Sequence, residues 1–119
     1  MDLGLLTWLF DKIAEFAGYQ KAKRLAAIEG LTPAVAATIA YNERINSGYA
    51  RNDAEERRLH ELWYTASSAV SSYDRELARV CKEKAQYWLR YDEYNDGHVE
   101  ELNIKLKSVA QRLEDLKYP

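Results

Sequence analysis

The apolar positions of the chain fall on helical periods almost throughout. From Leu3 to about Ile28, Leu3, Leu6, Phe10, Ile13 and Ala17 share one stripe, which Leu5, Leu9 and Phe16 widen and Trp8 extends. Only Thr7, Asp11, Lys12 and Glu15 hold a polar face, so a first helix over 3–28 presents more apolar surface than one core-facing stripe needs. Such a helix is central to its fold, lies at an interface, or rests on a membrane surface. The stretch "EGLTPAVAATIAYNERINSG" then predicts a break. Gly30 suits a left-handed cap, Thr32 can cap the next helix, and Pro33 takes its first position, where a missing N–H costs nothing. A second helix follows over 33–46, with Val35, Ile39, Asn42 and Ile45 inward and Gly48 ending it.

After "YARND", Asn52 or Asp53 caps a third helix with Glu55 and Glu56 in its first turn. No Pro or Gly appears again until Gly97. Leu59, Trp63, Ala66, Val70, Tyr73, Leu77 and Val80 alternate steps of four and three, the period of a coiled-coil seam. The pattern predicts one helix over 53–95; at 67–72 the serines of "TASSAVSSY" lower helix propensity, and either the helix bends there or the small side chains let another helix come close. A last helix over 98–117 carries Val99, Leu102, Leu106, Val109, Leu113 and Leu116, and the short "NDG" connection implies an antiparallel return. The expected fold is all-α: one domain over 1–119, a four-helix bundle with a long third helix and a carboxy-terminal antiparallel coiled-coil hairpin. A break at Ser71-Ser72 would give a more compact five-helix domain instead.

Composition narrows this picture without changing it. Among 119 residues there are 2 Pro and 5 Gly, which leaves few turns and favours long helices. Apolar residues make up 47% and charged residues 30%, an ordinary globular balance. A net charge of -2 gives no bulk attraction to nucleic acid or an anionic membrane. The lone Cys81 excludes an intramolecular disulfide and a cysteine-based zinc site, and reads as a small apolar filler. "MDLGLLTWLF" lacks the positive leading region of a signal peptide, and Asp11, Lys12 and Glu15 interrupt it well short of the ~20 apolar residues of a membrane span. The reading is a soluble, cytoplasmic protein.

Metal and catalytic chemistry find little footing. In "YDEYNDGHVEEL", Asp92 and Val99 fit a calcium loop, but Tyr94 and Asn103 stand where oxygen ligands belong, so the stretch reads as a helix stop and restart. Glu56 and His60 lie one turn apart without the further ligands of a zinc or di-iron centre. Cys81 has no activating neighbour in the sequence, and no glycine-rich phosphate loop occurs. No cofactor, metal or catalytic set is expected.

Two features point to partners. "RLAAIEGLTPAVAATIAYNERI" resembles a helix-turn-helix: Leu25 and Ala26 in the first helix, Gly30 at the turn, Leu31 after it, Thr32-Pro33 opening the second helix and Ile39 facing back. The resemblance implies DNA contacts from Lys21, Lys23, Arg24, Thr32, Thr38 and Arg44, although Glu29 stands where an apolar residue normally faces the core. Such a corner joined to a coiled-coil hairpin is similar in architecture to a viral protein, the phage small-terminase subunit. Separately, Tyr87, Trp88, Tyr91 and Tyr94 cluster beside Lys82, Lys84 and Arg90, residue types that dominate interface hot spots.

The function expected is therefore a non-enzymatic interaction module, such as a small assembly subunit, adaptor or inhibitor. It would bind a protein or a second copy of itself, forming a homo-oligomer through Trp8, Leu9, Tyr87, Trp88, Tyr91 and Tyr94. DNA binding and peripheral membrane association through the first helix are the alternatives.

Overall fold

The computed structural model describes residues 3–90 and 96–118, and within them the side chains of residues 7, 8, 18, 20–90, 97 and 106–118. Four helices account for nearly all of it: α1 Leu3–Asn46, α2 Asp53–Val70, α3 Arg75–Leu89 and α4 Asp96–Lys117. No strand occurs among the described residues, so the all-α expectation holds. The helix boundaries differ in two places. The break between 28 and 33 does not form, and the third helix does not run on to residue 95 but ends at Val70 and restarts at Arg75.

α1 continues through Pro33 because tertiary packing overrides the local stop signals. Its buried positions, Ala27, Leu31, Ala34, Val35, Thr38 and Tyr41, pass the proline without losing register, while Pro33 and Glu29 stay on the exposed side. The carbonyl that Pro33 deprives of a donor is that of Glu29, four residues back on this solvent side. Thr32 caps nothing; its Oγ1 donates to the Ile28 carbonyl at 2.7 Å. Gly30 is not a cap either. A methyl group there would overlap the Ala69 methyl and sit 3.5 Å from the Ala66 Cα, so the glycine sets the approach of α1 to α2. Ile39, expected inward, is 42% exposed.

Gly48, at φ 95°, turns the chain after α1, and Asn52 caps α2 by accepting from the Glu55 N–H at 2.9 Å. α1 and α2 are antiparallel: Arg44 pairs with Glu55 near one end, Trp63 bonds Thr38 in the middle, and Gly30 meets Ala69 at the other. At 71–74 the Val70 carbonyl accepts from both Tyr73 and Asp74, and Ser71 Oγ donates to the Ser68 carbonyl at 2.8 Å, the local competition by which serine ends a helix. Asp74 then caps α3 through the Leu77 N–H, and Arg112 of α4 bonds its other oxygen at 2.8 Å.

Ser67 Oγ donates to the Ala78 carbonyl and His60 Nδ1 to the Ala85 carbonyl, both at 2.7 Å, so α2 and α3 also lie antiparallel. After the turn the seam restarts on Leu77, Cys81, Lys84 and Trp88, with Ala78 and Ala85 beside it; Tyr73 is 39% exposed and Val80 only half-buried. α4 buries Leu106, Val109 and Leu113, as its spacing predicts, and among the described residues it packs against both α1 and α3. Val99 and Leu102 lie outside the described side chains. The molecule measures 69 × 23 × 23 Å, its length matching the roughly 66 Å of a 44-residue helix at 1.5 Å per residue.

Candidate interaction site

Chemistry-bearing side chains converge where the end of α1 meets the start of α2 and the end of α3. Glu56 enters α2 in phase with Leu59, Trp63, Ala66 and Val70, which buries it to 3% exposure. Arg51, in the preceding loop, meets it with both arms: Nε donates to Oε2 at 3.0 Å and Nη2 to Oε1 at 2.7 Å. The Tyr41 hydroxyl also donates to Oε2, while accepting from the Asn52 N–H at 3.1 Å. Burial pushes the Glu56 carboxyl up, but the bonds from Arg51 and Tyr41 outweigh it and hold the group below its usual value. Tyr41 is raised, first by burial and then by its bond to Glu56. This network ties the connection between α1 and α2 to the body of the protein.

Above it lies an aromatic box. Tyr41 and Trp88 meet edge to face with centroids 5.5 Å apart, and Tyr87 meets Trp88 at 4.9 Å. Lys84, 1% exposed, projects among the rings with Nζ 6.0 Å from the Trp63 centroid, 5.5 Å from Tyr87 and 5.7 Å from Trp88. Burial lowers its amine to about 8. Cys81, one turn earlier, is fully buried, and burial pushes its thiol up to about 12, which makes it a poor nucleophile. The groove beside the network, about 230 Å³, is lined by Ala37, Ala40, Tyr41, Arg44, Glu55, Arg58 and Leu59, and its Arg44 already faces Glu55 and the Tyr41 ring. Among the described residues no three His, Cys, Asp or Glu side chains gather as metal ligands.

The residues singled out for partner binding scatter. Trp8 is 54% exposed on the amino-terminal part of α1. Trp88, at 6%, belongs to the core and Tyr87 is half-buried against it, so Trp88 is no ready-made contact surface. Leu9, Tyr91 and Tyr94, and most of the acidic stretch from Asp92 to Asn103, lie outside the described side chains. The helix-turn-helix reading is corrected by the continuity of α1, which puts Lys21, Lys23, Arg24, Thr32, Thr38 and Arg44 on one continuous helix. Thr38 is fully buried, donating to the Ala34 carbonyl and accepting from Trp63 Nε1, each at 2.7 Å, and cannot reach a base. Arg44 is bonded to Glu55 at 2.7 Å; Leu25, meant for the core of the corner, is 45% exposed.

Pattern reading missed the Glu56 network and the Lys84 box. Their signal was phase: Glu56 opens the seam that Leu59 and Trp63 continue, and Lys84 lies on the seam between Cys81 and Trp88. No helix among the described residues is long and apolar enough to cross a membrane. No protein-family model matches the chain, and neither a curated protein nor a solved structure matches it.

Proposed function

We propose that this protein is a non-enzymatic, cytoplasmic assembly module that self-associates through the amino-terminal part of α1. The observation that carries the reading is the mismatch between α1 and the hairpin on which it packs. Gly30 already lies opposite Ala69, one residue from the end of α2, so the helix before it runs past the α2–α3 hairpin. That arm is the broad apolar segment "LGLLTWLFDKIAEF", and Trp8 on it is half exposed.

A second copy fits this arm by charge as well as by length. Asp2, Asp11, Lys12 and Glu15 give the segment before Gly18 a net negative charge, and Lys21, Lys23 and Arg24 follow it, so two arms crossing antiparallel near Gly18 set opposite net charges against each other. Nothing lies within 4 Å of a Cβ built at Gly18, and Ala22 and Ala26 beyond it are exposed, which leaves room for a close crossing. The contact is isologous and closes as a dimer.

Sedimentation equilibrium at micromolar concentration tests this. The wild type is expected as a dimer of a 13.8 kDa chain, and Trp8→Glu as a monomer with unchanged helix content. Asp11→Lys with Glu15→Lys should weaken the dimer at least tenfold, and adding Lys21→Glu with Arg24→Glu should restore it. A wild-type monomer at 100 µM concentration, whether free or bound to lipid vesicles through Trp8, would overturn the reading.

A further inference from the structure

Apart from Tyr41, the residues that line the groove between α1 and α2 take no part in the Glu56 network. Its apolar lining is short at Ala37 and Ala40, which contribute only methyl groups, and is completed by the core residues Leu59 and Tyr41. Its polar rim is Arg44, Glu55 and Arg58. Arg44 Nη2 donates to Glu55 Oε2 at 2.7 Å, joining α1 to α2, and the guanidinium carbon lies 5.8 Å from the Tyr41 ring centroid, so two contacts fix this side chain. Arg58, one turn along α2 from Glu55, makes no hydrogen bond or ion pair with a described residue. The rim therefore sets two guanidiniums against one carboxylate and lacks one negative charge.

We propose that this groove binds a small apolar monocarboxylate. The carboxylate pairs with Arg58 and with the donors of Arg44 that Glu55 leaves unused, while the hydrocarbon body lies on Ala37, Ala40 and Leu59. A guanidinium presents parallel N–H donors that match a planar carboxylate. A dianion such as a phosphate monoester would exceed the one missing charge and be repelled by Glu55. An inorganic anion would gain nothing from the methyl groups and Leu59, and a neutral apolar molecule would leave Arg58 unpaired. The space of about 230 Å³ sets the size, one ring or a short branched chain, since a cavity of about 150 Å³ already admits benzene. The groove lies on the far side of Gly30 from the amino-terminal arm of α1, so the inference stands apart from self-association.

Nuclear magnetic resonance titration of the full chain at neutral pH with benzoate, benzyl alcohol and sulfate tests the proposal. Benzoate should shift the amides of Ala37, Ala40, Arg58 and Leu59 saturably at low-millimolar concentration, and its ring protons should show Overhauser contacts to the Ala37 and Ala40 methyls. Benzyl alcohol, the same ring without the charge, should bind about tenfold more weakly, and sulfate should not displace benzoate. Arg58→Gln should weaken benzoate about tenfold, and Ala40→Leu, which fills the groove, should abolish its contacts. Both positions are exposed, so the rest of the spectrum should stay unchanged. No saturable shift by about 20 mM benzoate, an unchanged affinity in Arg58→Gln, or displacement of benzoate by equal sulfate would each overturn the proposal.

Discussion

Glu56→Ala is expected to lower the stability of the protein by about 3 kcal/mol at pH 7, at the low end for breaking a buried pair because Arg51 is 43% exposed. The loss arises from what is left behind. The Tyr41 hydroxyl keeps the Asn52 N–H but loses its acceptor inside the core, and the Arg51 guanidinium loses both of its bonds to the carboxylate. Glu56 is held below its ordinary 4.5 in the fold, so its contribution is complete above that value and fades as pH falls through the lower folded value. Urea denaturation of both proteins from pH 7 down to pH 3 should therefore show their difference shrinking in acid. A difference that stays constant across that range, or is under 1 kcal/mol at pH 7, would remove the network as a support of the α1–α2 connection.

Gly30→Val is expected to cost about 2 kcal/mol, although replacing glycine inside a helix ordinarily gains. The new side chain would start in the space of the Ala69 methyl, against the α2 backbone at Ala66, and the two helices would have to separate. Ala69→Gly in the same chain should recover part of the loss by reopening that space. The rescue carries the information. If Gly30 were a left-handed helix cap, substitution would be unfavourable through backbone strain and Ala69→Gly would rescue nothing. Thermal or denaturant unfolding of the single and double variants separates the two.

Much of the helical content was legible, because it depends on periodic burial. Leu59, Trp63, Ala66 and Val70 of α2, and Leu106, Val109 and Leu113 of α4, take the buried positions that their spacing assigns. What resisted reading were the boundaries, for two different reasons. Around Gly30-Leu31-Thr32-Pro33 the local signals favour a stop, but a proline on the solvent face and a glycine at a helix crossing serve a continuous helix equally well, and only the position of α2 decides. Around Ser71 the apolar period runs on without a miss, yet Ser68, Ser71 and Asp74 offer the backbone enough local bonds to turn it. The shift of seam after that turn leaves Tyr73 exposed and brings Lys84 into the core. The aromatic cluster was visible as composition, while its division into the buried Trp88 and the half-buried Tyr87 follows from packing that no single helix pattern contains.

The functional account rests on α1 as one uninterrupted rod: continuity removes the DNA-reading corner and carries the apolar arm beyond the hairpin. Spin labels at Ala22→Cys and Glu43→Cys, in a Cys81→Ala background and diluted with unlabelled chain, measure it across Pro33. Both labelled positions are exposed. A continuous helix places their backbones about 32 Å apart with a narrow distribution. A distance near 22 Å, as two helices meeting at a right-angled corner would give, would contradict the account.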